Sequence, residues 1–383
     1  MALRTFFSPA SRLGGTRSRP RRAFFTHFRL SMRYEPYDPR KSFERGAVIL
    51  SLDTEQMWGY FDRLNEQQFQ SRYPNTLEAH ERLLAFLCAA GVSATWFVVG
   101  GMTLQQSDGA RDLRMAGLPD AWTVRIPPGR EATAPLWYRR SFVERLREAR
   151  PFQEVGLHAG LTHFIWTDTR ATRDVVKREL AEGVKALEQA LVPPLSFSFG
   201  REQEAYHQLL PKFGLLSYRG RTPVLACRLG PTLPGALLRA LDELARATPP
   251  PVWPQETLPG LWNIPSSMFL YPIGPSRTRV LALRSRLERF SRGVEAAARH
   301  RAIFHFCLHP ENLAESPHGF SLFGDLLEYL TRSRDRGDVE ILTVGQVAAR
   351  MERTREKPRR DSAFDTRLTP WRGAQKRIAA GPL

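Results

Sequence analysis

Two carboxylates lie two residues apart directly after an apolar run near the start of the chain. Residues 47–55 read A-V-I-L-S-L-D-T-E, and the first six fit a strand that is buried on both faces, as in a parallel sheet. Asp53 and Glu55 follow at the end where α/β barrels and open sheets assemble their sites. If both side chains point to one side, one could bind a metal while the other moves protons. The alternative, that both are solvated loop residues, stays open from this segment alone.

Other residues of reactive types recur just past the ends of later predicted strands. Four of them hold this position, namely His158, His163, Arg201 and His309. A lone histidine is more often structural than catalytic. Repetition of reactive residues at strand ends in separate strand–helix units, however, is typical of the catalytic set of a barrel.

These residue types predict a metal-assisted hydrolysis. One carboxylate and two histidines, Glu55, His158 and His163, leave a coordination position for water, as in catalytic zinc sites. Such a metal polarises a carbonyl oxygen and lowers the pKa of its water toward about 7. Cleavage of an amide or ester then needs a base and an acid, for which Asp53 and His309 are placed. We expect Arg201 to keep Asp53 ionised through a charge-assisted hydrogen bond.

Strands and helices must alternate along the chain to bring these residues together. Amphipathic helical patterns and short apolar runs alternate about seven times between residues 46 and 351 without an internal linker. This alternation favours a parallel barrel over an open sheet. Residues 102–135 are irregular and contain Pro and Gly, which predicts either an insertion over the site or a flexible loop.

The positive charge is concentrated at the two ends of the chain. The net charge is +17, of which the arm 1–45 carries +8 and the tail from residue 349 carries +6. We predict a disordered N-terminal arm over 1–45 and a basic disordered tail over 352–383. A nearly neutral centre argues against specific nucleic-acid binding. The basic ends could make weak peripheral contact with an anionic membrane, or simply keep the protein soluble.

Three cysteines without C-x-x-C spacing, Cys88, Cys227 and Cys307, predict buried thiols in a reducing compartment. The arm contains no apolar run long enough for a secretory signal, and the chain contains no run of about 18 apolar residues. These features predict a cytoplasmic protein, peripheral at most to the inner face of a membrane.

Five segments resemble motifs of the polysaccharide deacetylases, the NodB-homology group or carbohydrate esterase family four. S-L-D-T-E (51–55) is similar to the first motif, and A-T-W-F-V-V-G (94–100) resembles a strand of that family. E-V-G-L-H-A-G-L-T-H (154–163) resembles the metal-binding motif. F-G-R-E-Q (199–203) and F-H-F-C-L-H-P-E-N (304–312) are similar to the third and last motifs.

The resemblance implies a distorted (β/α)7 barrel over residues 46–351 and a divalent metal, with zinc as the expected ion. It implies the same roles as the chemistry above: Asp53 as base, His309 as acid, Arg201 beside the base, and Glu55, His158 and His163 as metal ligands. The two histidines are five residues apart rather than the usual four, so one residue must bulge for both to reach one metal.

The same resemblance implies removal of an N-acetyl group from an amino sugar of a polysaccharide or of a lipid-linked saccharide precursor. Aromatic rings commonly line sugar sites, and five are candidates for substrate contacts: Trp58, Trp137, Tyr138, Trp166 and Trp262. Taken singly, each of them fits a core position at least as well. The alternative functions are a non-catalytic carbohydrate-binding protein on the same barrel and an amidase that cleaves a non-sugar C–N bond.

Overall fold

A single sheet of ten strands organises the part of the chain that the computed structural model describes, residues 42–115, 117–229, 232–271, 279–314 and 318–362. The strands are β1 (Gly46–Thr54), β2 (Thr95–Val99), β3 (Glu154–His158), β4 (Ser196–Ser198), β5 (Ser217–Arg219), β6 (Gln255–Leu258), β7 (Leu261–Asn263), β8 (Met268–Leu270), β9 (Ile303–Leu308) and β10 (Val339–Ile341). All their pairings are parallel except that of β6 with β7.

Helices connect the parallel strands, as the alternation of sequence patterns predicts. They are α1 (Glu66–Arg72), α2 (Thr76–Ala89), α3 (Ala110–Met115), α4 (Asp120–Thr123), α5 (Arg140–Glu148), α6 (Arg173–Gln189), α7 (Leu225–Arg228), α8 (Leu233–Leu244), α9 (Arg279–His300), α10 (Glu311–Ala314), α11 (Gly319–Asp335) and α12 (Val344–Ser362). Short 3-10 turns cover Gln56–Gly59, Gly100–Thr103, Gly200–Glu202 and His207–Phe213. Thr172 caps α6 by accepting a hydrogen bond from the Val175 N–H, and Thr232 caps α8 in the same way.

The strand order shows how the sheet curls into a barrel. It runs β6-β7-β5-β4-β3-β2-β1-β9-β8, and β10 pairs with the first residues of β1. The segment 261–270 closes the ring, because its first half pairs with β5 and its second half pairs with β9. Counting that broken segment as one position, seven positions surround the axis. The predicted distorted (β/α)7 barrel is therefore confirmed.

β1 lies at the centre of this arrangement, and all nine of its residues are buried. Such burial on both faces explains why the strand reads as an apolar run rather than an alternating one. It pairs with β9 over six residues and with β2 over four at its C-terminal end. The end of β1 is consequently one of the least mobile places on which a site could be built.

The two predicted disordered ends are only partly tested. Residues 1–41 of the arm and 363–383 of the tail lie outside the described residues. The tail prediction is wrong at its start, because α12 continues to Ser362 instead of ending near residue 351. Two contacts hold this extension: Glu352 accepts a hydrogen bond from the Trp262 indole N–H, and Arg355 pairs with Glu256.

Among the described helices, none has both the length and the apolar character needed to cross a membrane. The three cysteines carry free thiols, but the predicted burial holds only for Cys307, because Cys88 and Cys227 are partly exposed.

Candidate active site

The buried carboxylate of Asp53 forms a two-pronged ion pair with Arg219 at the end of β5. The two guanidinium nitrogens donate to the two carboxylate oxygens over 2.8 and 2.6 Å, and both side chains are almost completely buried. Burial alone would raise the pKa of Asp53. The charge of Arg219, with hydrogen bonds from His309 and Arg219, instead holds that pKa well below its usual range. Asp53 is therefore ionised at any physiological pH.

Arg201 does not contact Asp53, and that part of the prediction is wrong. One of its guanidinium nitrogens lies 2.7 Å from each oxygen of Asp62, in a partly exposed ion pair. The physical reason is the backbone, because Arg201 and Glu202 both have left-handed dihedral angles, with φ of 53° and 56°. This turn sends the Arg201 side chain outward to Asp62, and Arg219 supplies the partner that the base needs.

Glu55, His158 and His163 form a compact group of potential metal ligands at the ends of β1 and β3. One oxygen of Glu55 lies 3.0 Å from Nε2 of His158 and 2.9 Å from Nε2 of His163. The two Nε2 atoms are 3.1 Å apart, and all three side chains are buried. Three electron-pair donors that face one another at such distances form a group that could bind a metal ion.

The neighbouring backbone fixes the tautomer of one of these histidines. Nδ1 of His158 lies 3.2 Å from the carbonyl oxygen of Ser198, which can only accept a hydrogen bond. Nδ1 therefore carries the proton and donates it, which leaves a lone pair on Nε2 for a metal. Burial lowers the pKa of His163 and outweighs the opposing charge of Glu55, so that this ring is favoured in its neutral form.

The five-residue spacing of the histidines is accommodated by a left-handed bulge. Ala159 and Gly160 follow β3 with φ of 60° and 150°, so the chain gains its extra residue directly after His158. A Cβ atom on Gly160 would approach a side-chain oxygen of Glu179 to 2.6 Å, which explains the glycine. Glu179 in turn accepts hydrogen bonds from both the N–H and the hydroxyl of Thr162. It thereby holds the loop that presents His163.

His309 follows β9 and faces both carboxylates. Its Nε2 lies 3.4 Å from Asp53, and its Nδ1 lies 3.5 Å from Glu55 and 3.4 Å from the Tyr60 hydroxyl. Burial would lower the pKa of His309, but the negative charges of Glu55, Asp53 and Glu311 raise it to about 9. The imidazole is therefore protonated near neutral pH and can donate a proton.

Glu311, two residues after His309, is an acidic residue close to that imidazole. It is completely buried, and one of its oxygens accepts a hydrogen bond from the Gln56 N–H over 3.2 Å. Burial raises the pKa of Glu311 to about 7, against the attraction of His309.

The reactive side chains open into a cavity of about 390 Å³ at the C-terminal ends of the strands. Part of its wall comes from the segment after β1, and part comes from β8 and the residue that follows it. Residues 102–135 were predicted to cover the site, but no described residue of that segment lines the cavity. Trp122 packs there against Phe61 and Phe164 instead.

The five aromatic residues predicted to contact substrate belong to the core. At most 2 % of the surface of Trp58, Trp137, Tyr138, Trp166 and Trp262 is exposed. Their polar groups are also engaged: the Trp58 indole N–H donates to the Trp137 carbonyl, and that of Trp166 donates to the Ala159 carbonyl. The rings that line the cavity are instead those of Tyr60, Tyr73, Phe269 and Tyr271.

The two arginines differ in how their loss should affect stability. Arg219→Met leaves Asp53 buried without its partner, so we expect the free energy of unfolding to fall by about 3–5 kcal/mol. Arg201→Met breaks a partly exposed pair and should cost less than about 1 kcal/mol. In an Asp53→Asn background, Arg219→Met should lower the free energy of unfolding by less than it does in the unaltered chain. The effect of Arg201→Met should be the same in both backgrounds. Urea unfolding of the single and double variants measures both, and coupling of Asp53 to Arg201 rather than Arg219 would contradict the geometry.

No model of a protein family matches the sequence, and no curated relative matches it either. Solved structures do match. A protein from Mycobacterium smegmatis assigned as a polysaccharide deacetylase superposes with a TM-score of 0.52 at 17% identity, over 87% of this chain and 94% of that one. Another so assigned, from Pseudomonas aeruginosa PAO1, superposes with a TM-score of 0.53 at 11% identity, over 83% and 95% of the two chains. The resemblance inferred from the motifs is thus confirmed at the level of the fold: the chain has the barrel of the polysaccharide deacetylases.

Proposed function

We propose that the protein is a metal-dependent hydrolase that removes an N-acetyl group from an amino sugar. The observation that carries this proposal is the convergence, at one mouth of the barrel, of three potential metal ligands, an ionised carboxylate and a protonated histidine. These are the parts that hydrolysis of an acyl bond needs. The likeness to solved deacetylases supports the fold on which such a site is built.

The donor set fits a divalent metal. Zinc bonds of about 2 Å place tetrahedral ligand atoms about 3.3 Å apart, close to the 2.9–3.1 Å that separates the atoms of Glu55, His158 and His163. The two Nε2 atoms and the Glu55 oxygen are buried and face one another, as the ligands of a single ion would. Two nitrogens and one oxygen favour zinc over magnesium or calcium, which prefer oxygen ligands.

The metal would supply Lewis-acid chemistry, polarising the acyl oxygen and acidifying a water molecule. The chain supplies the proton transfers. The positive charge of Arg219 stabilises the ionised form of Asp53. The carboxylate therefore carries no proton and can accept one from water. His309 is protonated near neutral pH and lies 3.4 Å from Asp53, so it can deliver a proton to the departing amine.

The cavity offers surfaces that suit a sugar with an anionic attachment. Tyr60, Tyr73 and Phe269 present aromatic rings, and Arg63 and Arg72 add positive charge at the rim. These features support a polysaccharide or a lipid-linked saccharide precursor as substrate, the second of which carries phosphate next to the sugar. The cytoplasmic location inferred from the sequence stays a prediction.

An amidase that acts on a non-sugar C–N bond would use the same five residues, so only the substrate separates the two functions. A non-catalytic carbohydrate-binding protein would not need Asp53 paired with Arg219 beside a histidine whose pKa is raised. The intact reactive set therefore disfavours a purely binding role.

Acetate release tests the proposal directly. We expect the zinc-loaded full chain to release acetate from at least one member of a panel of free, nucleotide-linked and lipid-linked N-acetyl sugars. Asp53→Asn should lower the rate by about 10² to 10⁴, the usual size of an acid–base contribution. Glu182→Gln, which changes an exposed carboxylate on α6, serves as the control. Release from a small non-sugar amide alone would move the assignment to an amidase.

His309 should give the reaction a characteristic dependence on pH. The pKa of His309 is about 9 when no metal balances the negative charge of Glu55. A bound metal would balance that charge and so lower the pKa of His309 toward its ordinary value of about 6.5. The decline of kcat at alkaline pH should therefore fall between about pH 6.5 and 9. Below this range His309 holds its proton, and above it the acid is lost. His309→Ala should lower kcat and remove the decline, while His300→Ala, at an exposed position, should keep it. An unchanged decline in His309→Ala would assign the acid to another group.

A further inference from the structure

Helix α8 is oriented with its apolar side toward solvent. Leu233, Leu237, Leu241 and Leu244 expose 85, 60, 51 and 73 % of their surface. The residues between them on this outer side are alanines and one proline, so no charge interrupts it. Surface helices normally place such a side against the core. We call this surface the α8 face.

The polar residues of α8 lie on the opposite side, toward the protein. Glu243 receives a hydrogen bond from Nε of Arg286 over 2.9 Å, which ties α8 to α9. Asp242 and Arg239 line a second cavity of about 350 Å³ beside the helix. The hydrogen bond between Arg286 and Glu243 therefore holds the polar side of α8 toward the protein, and the leucines on the other side face solvent.

The α8 face belongs to a larger concentration of exposed apolar residues. Eleven large hydrophobic side chains are exposed in the described part of the chain. Six of these are leucines within residues 225–244, because Leu225 and Leu229 of the preceding segment add to the four on α8. Contiguous apolar patches of this kind mark sites of association with a membrane or another molecule.

Positive charge on α9 lies beside the C-terminal end of α8. Arg289 and Arg292 on α9 donate hydrogen bonds to the carbonyl oxygens of Ala247 and Arg246. These acceptors are uncharged, so the contacts do not cancel the guanidinium charges. Arg284 on the same helix is exposed. An apolar helix side bordered by arginines matches a lipid surface with anionic headgroups.

The α8 face also lies next to the candidate active site. The cavity beside α8 and the active-site cavity share three lining residues, Glu202, Phe269 and Tyr271. Tyr271 is itself an exposed aromatic residue between the two openings. The polar side of α8 is thus connected to the reactive cavity through these shared residues.

We propose that the α8 face is a docking surface for an anionic lipid bilayer. The leucines enter the boundary between headgroups and acyl chains, and the arginines of α9 contact the anionic headgroups. Two copies of the chain docked through this face would instead bring like-charged arginines together, which disfavours a dimer as the occupant. Delivery of a lipid-linked sugar to the cavity would rest on the proposed function, whereas docking itself does not.

Vesicle binding of the full chain tests this proposal with a matched pair of variants. Leu241→Glu adds a negative charge on α8, at a leucine that is 51 % exposed. Leu195→Glu adds the same charge directly before β4, at a leucine that is 48 % exposed. With vesicles of phosphatidylcholine and about one-third phosphatidylglycerol, we expect Leu241→Glu to weaken binding at least about tenfold. Leu195→Glu should bind like the unaltered chain, and vesicles of phosphatidylcholine alone should bind all three more weakly.

Equal binding by both variants would overturn the proposal and assign membrane contact to the basic ends of the chain. Light scattering in the absence of vesicles tests whether the α8 face binds a second copy of the chain. If Leu241→Glu dissociates a dimer but does not weaken vesicle binding, the face is a self-association surface. Acetate release from a water-soluble N-acetyl sugar should be equal in the two variants. If the unaltered chain releases no acetate but binds vesicles through α8, the docking proposal stands and the proposed function fails.

Discussion

The ion pair between Asp53 and Arg219 is the interaction on which the site depends. A carboxylate at the centre of a barrel has lost its water, and without a matched cation it would take up a proton or unfold its surroundings. Arg219 meets this need with two parallel hydrogen bonds and also donates to the Ser51 hydroxyl, which in turn contacts His305. Burial and the Arg219 charge lower the pKa of His305 to about 3, so this ring remains neutral and adds no competing charge.

The barrel and the reactive strand ends were predictable because both follow from local patterns. Buried parallel strands read as apolar runs, and residues at their C-terminal ends meet at one mouth whatever the details of packing. The partner of Asp53 was not predictable in the same way. Arg201 and Arg219 both follow apolar segments, and the choice between them depends on left-handed dihedral angles at residues 201 and 202 that a sequence pattern does not reveal. The signal available in the sequence was the S-Y-R-G end of β5, an arginine directly completing a strand.

Two further differences have the same origin, since residue type indicates what a side chain can do but not where it points. Trp58 and Trp166 follow reactive motifs, yet their rings lie in the core and their indole N–H groups bind backbone carbonyls. Conversely, the leucines of α8 would be buried if this helix followed the usual arrangement of a surface helix. The hydrogen bond from Arg286 on α9 to Glu243 turns the polar side of α8 inward, so that its leucines face solvent. Tertiary contacts thus decide both which rings line the cavity and which side of α8 faces solvent.

We propose that the ends of β1 and β3 together form a metal centre of two imidazoles and one carboxylate. X-ray absorption at the zinc edge of the zinc-loaded full chain tests it most directly. We expect the zinc ion to have nitrogen and oxygen neighbours at about 2.0–2.1 Å, two of which belong to imidazoles. Either His158→Ala or His163→Ala should remove one imidazole neighbour. Sulfur neighbours at about 2.3 Å, or an unchanged number of imidazoles in both variants, would contradict it.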